Sequence, residues 1–331
     1  MRLLLRTLLL LVCLPATVYA EVLQPPDPVA WLQKISTAAR QLNYAGTFVY
    51  QHGGMVETSR ITHRFDDSGE HEKLEALDGP PREIIRNNNE VLCYYSDSKD
   101  SKDSKTVKVE KRHAQKNFPA LLPAQAGELA EHYNVKLGEQ ERVAGYDCQV
   151  IVLEPKDGLR YGHKLWADIG SGLLLKASAL DDKGQVLHQF SFTQVSIGGQ
   201  IDRERLKPAF PAGMQLRHAD RAALSPARLS ETGWEVRQLP AGYKKIMELQ
   251  RSMPGKKMPV AHLVFSDGLA AVSVFIEPLA GMQAKPMEGA FAQGAVNVYA
   301  RPVDSHQVTV LGEVPGGTVM QVANSVVPKA K

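Results

Sequence analysis

Apolar and polar residues alternate along the stretch LWADIGSGLLLKASALDDKGQVLHQFSF, residues 165–192, and each of its three runs keeps one apolar side. The runs are separated by DIGSG (168–172) and DDKG (181–184), which end in a glycine typical of hairpin turns. The apolar positions with a shared face are Leu173, Leu175, Ala177 and Ala179 in the second run and Val186, Phe190 and Phe192 in the third. The pattern predicts an antiparallel meander whose apolar face must be covered by another part of the chain.

A helix is predicted much earlier in the chain, beginning near residue 27. Asp27 is a suitable N-cap, Pro28 suits the first helical position, and Trp31, Ile35 and Leu42 recur at helical spacing. A second helical stretch is predicted at about 124–133. Between them lie strand patterns joined by short turns, at 46–52, 55–65, 70–77, 82–87 and 90–96.

Nine or ten consecutive strands favour one antiparallel sheet, and a sheet of that length tends to curl. A helix laid on its concave face would give a half-open antiparallel β-barrel with helices in its mouth. We therefore expect an α+β protein with this unit at 21–200. The polar tract SDSKDSKDSK (96–105) predicts a solvated, mobile loop.

Residues 201–230 lack an alternating pattern and contain three prolines, so we interpret them as a linker. The remaining chain, 231–331, contains further strand patterns and a short final helix in which Val319, Val322 and Ala323 share a side. These patterns predict a smaller C-terminal α+β domain.

The first 20 residues have the features of a cleavable signal peptide. Arg2 and Arg6 precede a short apolar run, and cleavage is predicted near Ala20. The apolar run is shorter than the ~20 residues that a membrane span needs. An exported protein is therefore expected.

The net charge of +3 gives no reason to expect nucleic-acid binding. Acidic residues outnumber basic ones over 21–200, and the reverse holds over 201–331. The basic excess of the C-terminal part would suit an acidic peptide or an anionic surface, although ordinary solvated charge is the favoured explanation.

Two cysteines remain after the predicted signal peptide, Cys93 and Cys148, both in strand-like runs. In an oxidising compartment they could form a disulfide, and they could equally be buried as small apolar side chains. The pattern does not decide between these alternatives.

Catalytic motifs are absent from the sequence: it has no GxSxG, HExxH, Walker or dinucleotide-binding motif. His63 and His71 could face each other across a hairpin and bind a metal, but nothing supplies a third ligand. A solvated turn with charged flanks is the favoured interpretation. We expect no enzyme activity, no cofactor and no metal.

Four segments, in order along the chain, resemble the MucB/RseB family of periplasmic regulators of the envelope-stress sigma factor. They are YAGTFVYQHGG (44–54), RYGHKLWADIGSGLLLKASALDDKGQVLHQFSFTQV (160–195), PVAHLVFSDGLAAVSVFIEPL (259–279) and VTVLGEVPGGTVMQVA (308–323). The resemblance implies a larger domain similar to the lipoprotein carriers LolA and LolB. It also implies that the chain binds the periplasmic part of a membrane anti-sigma factor, RseA or MucA, and shields it from regulated proteolysis.

The resemblance further implies that the acyl chains of lipopolysaccharide or mislocalised lipoprotein compete with that partner. For the acyl chain we expect contacts with Phe48, Tyr50, Leu173, Leu175, Phe190 and Phe192. For the partner we expect contacts in the linker and in 259–279, through Phe265, Asp267 and Phe275. A periplasmic lipid or lipoprotein carrier is the alternative function, and the formation of a homo-oligomer stays open.

Overall fold

A computed structural model describes most of the chain after the predicted signal peptide. The described residues are 27–96, 106–113, 122–209, 215–218, 228–229, 231–253, 258–281 and 285–329. The predicted signal peptide and nearly all of the polar tract at 96–105 lie outside them.

Twelve strands form the first sheet, in the order β12-β6-β5-β4-β3-β2-β1-β11-β10-β9-β8-β7. Every neighbouring pair is antiparallel except β12 with β6. The strands are β1 (Tyr44–His52), β2 (Met55–Asp66), β3 (Gly69–Ala76), β4 (Arg82–Asn87), β5 (Glu90–Ser96), β6 (Thr106–His113), β7 (Tyr133–Val143), β8 (Tyr146–Pro155), β9 (Gly162–Asp168), β10 (Leu174–Leu180), β11 (Val186–Ile197) and β12 (Gln215–His218).

A smaller sheet of seven strands follows, in the order β13-β15-β16-β17-β20-β19-β18, and β14 pairs separately with β21. These strands are β13 (Arg228–Leu229), β14 (Trp234–Val236), β15 (Lys244–Arg251), β16 (Val260–Ser266), β17 (Ala271–Pro278), β18 (Gly289–Gln293), β19 (Val296–Val303), β20 (His306–Gly312) and β21 (Val326–Pro328). We call the unit around the first sheet the N-terminal domain and the unit around the second sheet the C-terminal domain.

Helix α1 (Pro28–Gln41) begins as the sequence predicts. The Asp27 carboxylate accepts a hydrogen bond from the backbone N–H of Val29 at 2.9 Å, and Pro28 occupies the first turn. The buried side of the helix carries Leu32 and Ile35. The predicted second helix is a six-residue 3-10 helix, Ala126–Glu131, instead of an α-helix. Gly127 within so short a segment disfavours the α form.

The first sheet curls around α1. The helix contacts β2 in the middle of the sheet and also β7 at its edge. The hydroxyl of Tyr146 on β8 donates to the carbonyl oxygen of Val195 on β11 at 3.2 Å, across the concave side. Within the described residues the sheet does not close, because β12 and β7 are its two edges. The predicted half-open antiparallel barrel with a helix inside it is confirmed.

In the C-terminal domain, helix α2 (Gly316–Asn324) packs on β19 and β20. Its side chains Val319, Val322 and Ala323 are buried in a core of valines and other apolar residues from the second sheet. Among the described residues, no helix is long and apolar enough to cross a membrane.

The segment 201–230, predicted as a linker, does more than connect the domains where it is described. It contributes β12 to the first sheet and β13 to the second. A short 3-10 helix, Arg203–Leu206, places Leu206 in a buried position. The two strand pairings explain why a segment without an alternating pattern still has defined structure.

The concave face also carries a buried network of charged side chains. Arg86 donates to Glu70 at 2.7 Å and to Glu72 at 3.0 Å, and His63 lies 3.2 Å from the same Glu70 oxygen. Tyr44 stacks on the His63 ring at 4.7 Å. Burial raises the pKa of Glu72, and Arg86 opposes that shift. Arg86 therefore compensates two carboxylates that are largely removed from water.

We expect the substitution Arg86→Met to destabilise the protein by about 3–5 kcal/mol, because it leaves Glu72 buried without a counter-charge. Urea unfolding followed by circular dichroism measures the change. The matched control is Arg60→Met, because Arg60 is half exposed and its pair with Glu75 spans 4.0 Å. We expect the control to change stability by less than about 0.5 kcal/mol. Equal effects of the two substitutions would contradict the proposed importance of the network.

Candidate functional site

A cavity of about 540 Å³ lies between the concave face of the first sheet and the C-terminal domain. This volume is within the range of about 300–1,000 Å³ that is typical of small-molecule sites. Its residues come from both domains. They are Phe48, Tyr50, Glu57, Ser59, Leu74, Arg82, Tyr161, His163, Leu165, Ala177, Ser178, Ala179, His188, Phe190, Leu269, Ala270, Ala271 and Glu313.

Aromatic rings form one wall of the cavity. Phe48 and Tyr50 lie on β1, and Phe190 lies opposite them on β11. Phe48 and Phe190 meet edge to face, with ring centroids 6.4 Å apart. Ala177 and Ala179 on β10 are small, so the sheet leaves space next to these rings. The wall is therefore apolar and suits an alkyl chain.

The other three side chains predicted to contact a ligand do not line this cavity. Leu173, Leu175 and Phe192 are buried in the core of the N-terminal domain, where Leu32 and Ile35 of α1 also lie. Helix α1 thus fills one end of the concave face, and the cavity occupies another part of it. The six predicted residues share one apolar face, but only half of them border the cavity.

The roof of the cavity comes from the C-terminal domain. Residues 269–271, in the turn between β16 and β17, line the cavity, and Leu269 packs against the core of the N-terminal domain. Glu313, just after β20, lies 3.6 Å from His188 on β11. The sequence could not indicate this roof, because it depends on how the two domains meet.

The charged side chains lie at the rim of the cavity. Glu57, Arg82 and Glu313 are each about half exposed, and Arg82 lies 3.8 Å from Glu57. Burial lowers the pKa of His188, Glu313 opposes this shift, and His52 adds to it. Burial, with Glu313 and Glu57, raises the pKa of Tyr50 to about 12. At neutral pH both rings are therefore uncharged, and an amphiphile could place its chain inside and its polar group at the rim.

A loop of the N-terminal domain, residues 157–161 between β8 and β9, anchors the C-terminal domain. Arg160 donates to the carboxylate of Asp267 at 3.1 Å, and both side chains are 0% exposed. The hydroxyl of Thr318 donates to the Leu159 carbonyl oxygen at 2.7 Å, and Asn297 donates to the Tyr161 hydroxyl at 3.0 Å. These contacts hold the roof over the cavity.

The structure places the predicted partner-contact residues in three different environments. Phe265 is buried in the core of the C-terminal domain, and Asp267 is buried in the ion pair with Arg160. Phe275 is partly buried and stacks on His262 at 4.1 Å. In this arrangement of the domains, Phe265 and Asp267 are not exposed to a partner, so their predicted contact would require the surrounding structure to open.

Both cysteines are free thiols in the structure, although the sequence allowed a disulfide. Cys93 lies on β5 and Cys148 on β8, and both are buried. Eight steps along the sheet separate their strands. Burial, with Asp168 nearby, raises the pKa of Cys148 to about 11, so this thiol is protonated and unreactive at neutral pH.

The proposed histidine pair does not form. His63 pairs with Glu72 and His71 with Arg64 in the β2–β3 register, so the two histidines lie on opposite faces of the sheet. His63 is fully buried, which also corrects the interpretation of this region as a solvated turn. Within the described part of the chain, no group of three or more His, Cys, Asp or Glu side chains is suited to a metal ion.

Comparison with known proteins agrees with the two-domain architecture. Residues 27–210 match the MucB/RseB N-terminal domain, and residues 228–327 match the MucB/RseB C-terminal domain. The chain belongs to the MucB/RseB family.

Family members with similar sequences are named as regulators of sigma factors. The sigma factor AlgU regulatory protein MucB of Pseudomonas aeruginosa is 33% identical over 98% of both chains. The sigma-E factor regulatory protein RseB of Escherichia coli K12 is 25% identical over 91% of both chains.

Solved structures of MucB share the fold. The crystal structure of MucB in complex with MucA(peri) matches with a TM-score of 0.72 and 32% identity, over 92% of this chain and 100% of the MucB chain. The crystal structure of MucB matches with a TM-score of 0.63 and 31% identity, over 92% and 98%.

The burial of His262, whose ring stacks on Phe275, leads to a prediction for the pH dependence of stability. His262 is 6% exposed, and burial, with Arg251 nearby, lowers its pKa to about 4. The unfolded chain, with a histidine pKa of about 6.5, binds more protons than the folded chain below that pH. Stability is therefore lost as the pH falls from about 6.5 to about 4, by about 3 kcal/mol from this group.

The substitution His262→Phe keeps a ring against Phe275 and removes the titration. We expect its unfolding free energy to fall less than that of the wild type between pH 7 and pH 4, by about 3 kcal/mol. Urea unfolding at each pH measures the difference. Parallel pH curves for the two proteins would show that His262 is not buried as a neutral ring.

Proposed function

We propose that this chain is a periplasmic regulator that binds the periplasmic part of a membrane anti-sigma factor similar to MucA or RseA. In the bound state it shields that partner from regulated proteolysis. An acyl chain of lipopolysaccharide or mislocalised lipoprotein enters the cavity and releases the partner. The observation that carries this proposal is the apolar cavity with a charged rim, shared between the two domains of a MucB/RseB family member.

The chemistry of the cavity supports an acyl chain as the ligand. Phe48, Tyr50 and Phe190 provide aromatic surface, and the other apolar side chains of the lining are aliphatic. Burying an alkyl chain contributes about 0.8 kcal/mol for each methylene group. Arg82 at the rim could pair with a phosphate or carboxylate of the same molecule.

Release of the partner follows from thermodynamic linkage. If the lipid binds the partner-free state better, then the bound partner must weaken lipid binding by the same factor. About 1.4 kcal/mol corresponds to a tenfold change in affinity, so two differentially buried methylene groups are sufficient. No chemical step is required, and we propose that the chain is not an enzyme.

The substitution Ala177→Trp should fill the cavity and remove the response to lipid. We expect the variant to retain the periplasmic domain of the anti-sigma factor in a pull-down, both with and without lipopolysaccharide. The wild type should release most of it when lipopolysaccharide is added. The matched control is Val56→Trp, which places the same side chain at an exposed position of β2 outside the cavity. Circular dichroism confirms that each variant is folded.

Two outcomes would contradict the proposal. The first is that the wild type fails to capture the anti-sigma domain under either condition. The second is that Ala177→Trp releases the partner as the wild type does, because lipid would then act elsewhere.

A periplasmic lipid or lipoprotein carrier is the second candidate, because the same cavity could transport an acyl chain. Its barrel would not need a C-terminal domain that forms the roof of the cavity. Transfer of labelled lipoprotein between membranes distinguishes the candidates: a carrier accelerates the transfer, and a regulator leaves its rate unchanged.

A further inference from the structure

The turn between β16 and β17, residues 266–271, belongs to the C-terminal domain but fits into the hollow of the N-terminal domain. Its shape depends on Asp267, whose Oδ1 atom accepts from the backbone N–H groups of Leu269 at 3.0 Å and Ala270 at 2.9 Å. The Leu269 side chain packs against the N-terminal core. Leu269 thus occupies part of the space that the concave face of the first sheet encloses, and the cavity is the rest of that space.

The second oxygen of the same carboxylate, Oδ2, accepts hydrogen bonds from the N-terminal domain. It accepts from Arg160 Nη1 at 3.1 Å and from the Tyr133 hydroxyl at 3.3 Å. The Arg160 guanidinium lies over two rings, 5.6 Å from the centroid of Tyr133 and 5.5 Å from that of Tyr243. Burial raises the pKa of Tyr133, so its hydroxyl stays protonated and donates to Asp267.

We propose that Asp267 and Arg160 form a latch between the domains, and that an acyl chain in the cavity opens it by displacing Leu269. This regulation rests on the proposed acyl-binding function of the cavity. Asp267 acts as a positioning residue: one oxygen fixes the turn that covers the cavity, and the other fixes the domains. The ligand class is a single-chain or multi-chain amphiphile with an apolar tail.

The acyl chain and Leu269 compete for the same space, and this competition determines how ligand binding affects the latch. An acyl chain that enters this space must share it with Leu269. The strands beneath form a continuous sheet, whereas only four residues, 267–270, connect β16 to β17. Displacing Leu269 moves the backbone N–H groups that Asp267 accepts from. A buried ion pair tolerates little displacement, because a separated charge without water is costly. The latch is therefore expected to be either closed or open, with few intermediate positions.

A second ion pair across the same interface provides a control. Lys244 lies 3.0 Å from Glu128, and both side chains are more than half exposed. Exposed pairs contribute little to stability, because water and salt screen them. Removing this pair changes one charge contact between the domains but leaves the latch and the turn unchanged.

The experiment uses the full mature chain with spin labels on cysteines introduced at Glu154 in the N-terminal domain and Met320 in the C-terminal domain. Both positions are exposed, and the native cysteines are buried. The probe is palmitate, and its affinity is measured by calorimetry. For the wild type we expect palmitate to shift the distance distribution between the labels.

The decisive variant is Asp267→Asn, which keeps an oxygen acceptor for the turn but removes the charge that pairs with Arg160 across the domains. The pair of Arg160 with Asp157, which lies within the N-terminal domain at 3.0 Å, is unchanged in this variant. We expect its labels to show the shifted distribution without palmitate, and palmitate to bind about tenfold more tightly, because the latch no longer has to be broken. Lys244→Gln should behave as the wild type does. Leu269→Ala retains the latch and removes the displaced side chain, so palmitate should bind with little change in distance.

The outcomes separate the latch from the function on which it rests. If the wild type does not bind palmitate, both the acyl-binding function and the latch are overturned. The latch alone is overturned if palmitate binds to the wild type without changing the distance between the labels and binds to Asp267→Asn no more tightly than to the wild type. If Asp267→Asn does not fold, Leu269→Ala decides: a distance shift as large as in the wild type overturns the displacement of Leu269.

Discussion

The apolar concave face of a twelve-stranded sheet requires more cover than one short helix can provide. Leu173, Leu175 and Phe192 are buried in the core to which helix α1 also contributes, whereas Phe48 and Phe190 on the same face border the cavity. Exposed apolar surface of this extent in water is unfavourable and usually marks a binding site. In this chain the C-terminal domain covers the remaining part and leaves a cavity between the two domains.

Because the cavity lies at the junction of two domains, its occupancy and the arrangement of the domains are physically connected. The turn that covers it and the ion pair that fixes the domains share one residue, Asp267. A regulator needs such a connection, since a ligand shifts an equilibrium only through a difference in affinity between two states. Ordinary binding energies are sufficient for this role, and no reactive group is required.

The fold was predictable from the sequence where it depends on local patterns. Alternation, turn residues and the Asp27 cap predicted α1, most strands of both sheets and α2. The candidate site was predictable only in part. Phe48, Tyr50 and Phe190 share a face with Leu173 and Phe192, and alternation cannot show which of them a helix covers. The buried pairing of Asp267 with Arg160 joins residues far apart in the chain, and no local pattern indicates it.

The reciprocity of lipid and partner binding tests the central claim most directly. Calorimetric titration of palmitate into the protein, with and without a saturating periplasmic anti-sigma domain, gives one coupling factor. Titration of that domain with and without palmitate gives the other. The account predicts that each ligand weakens the other by the same factor, of at least about fivefold. Equal palmitate affinities with and without the partner would contradict it.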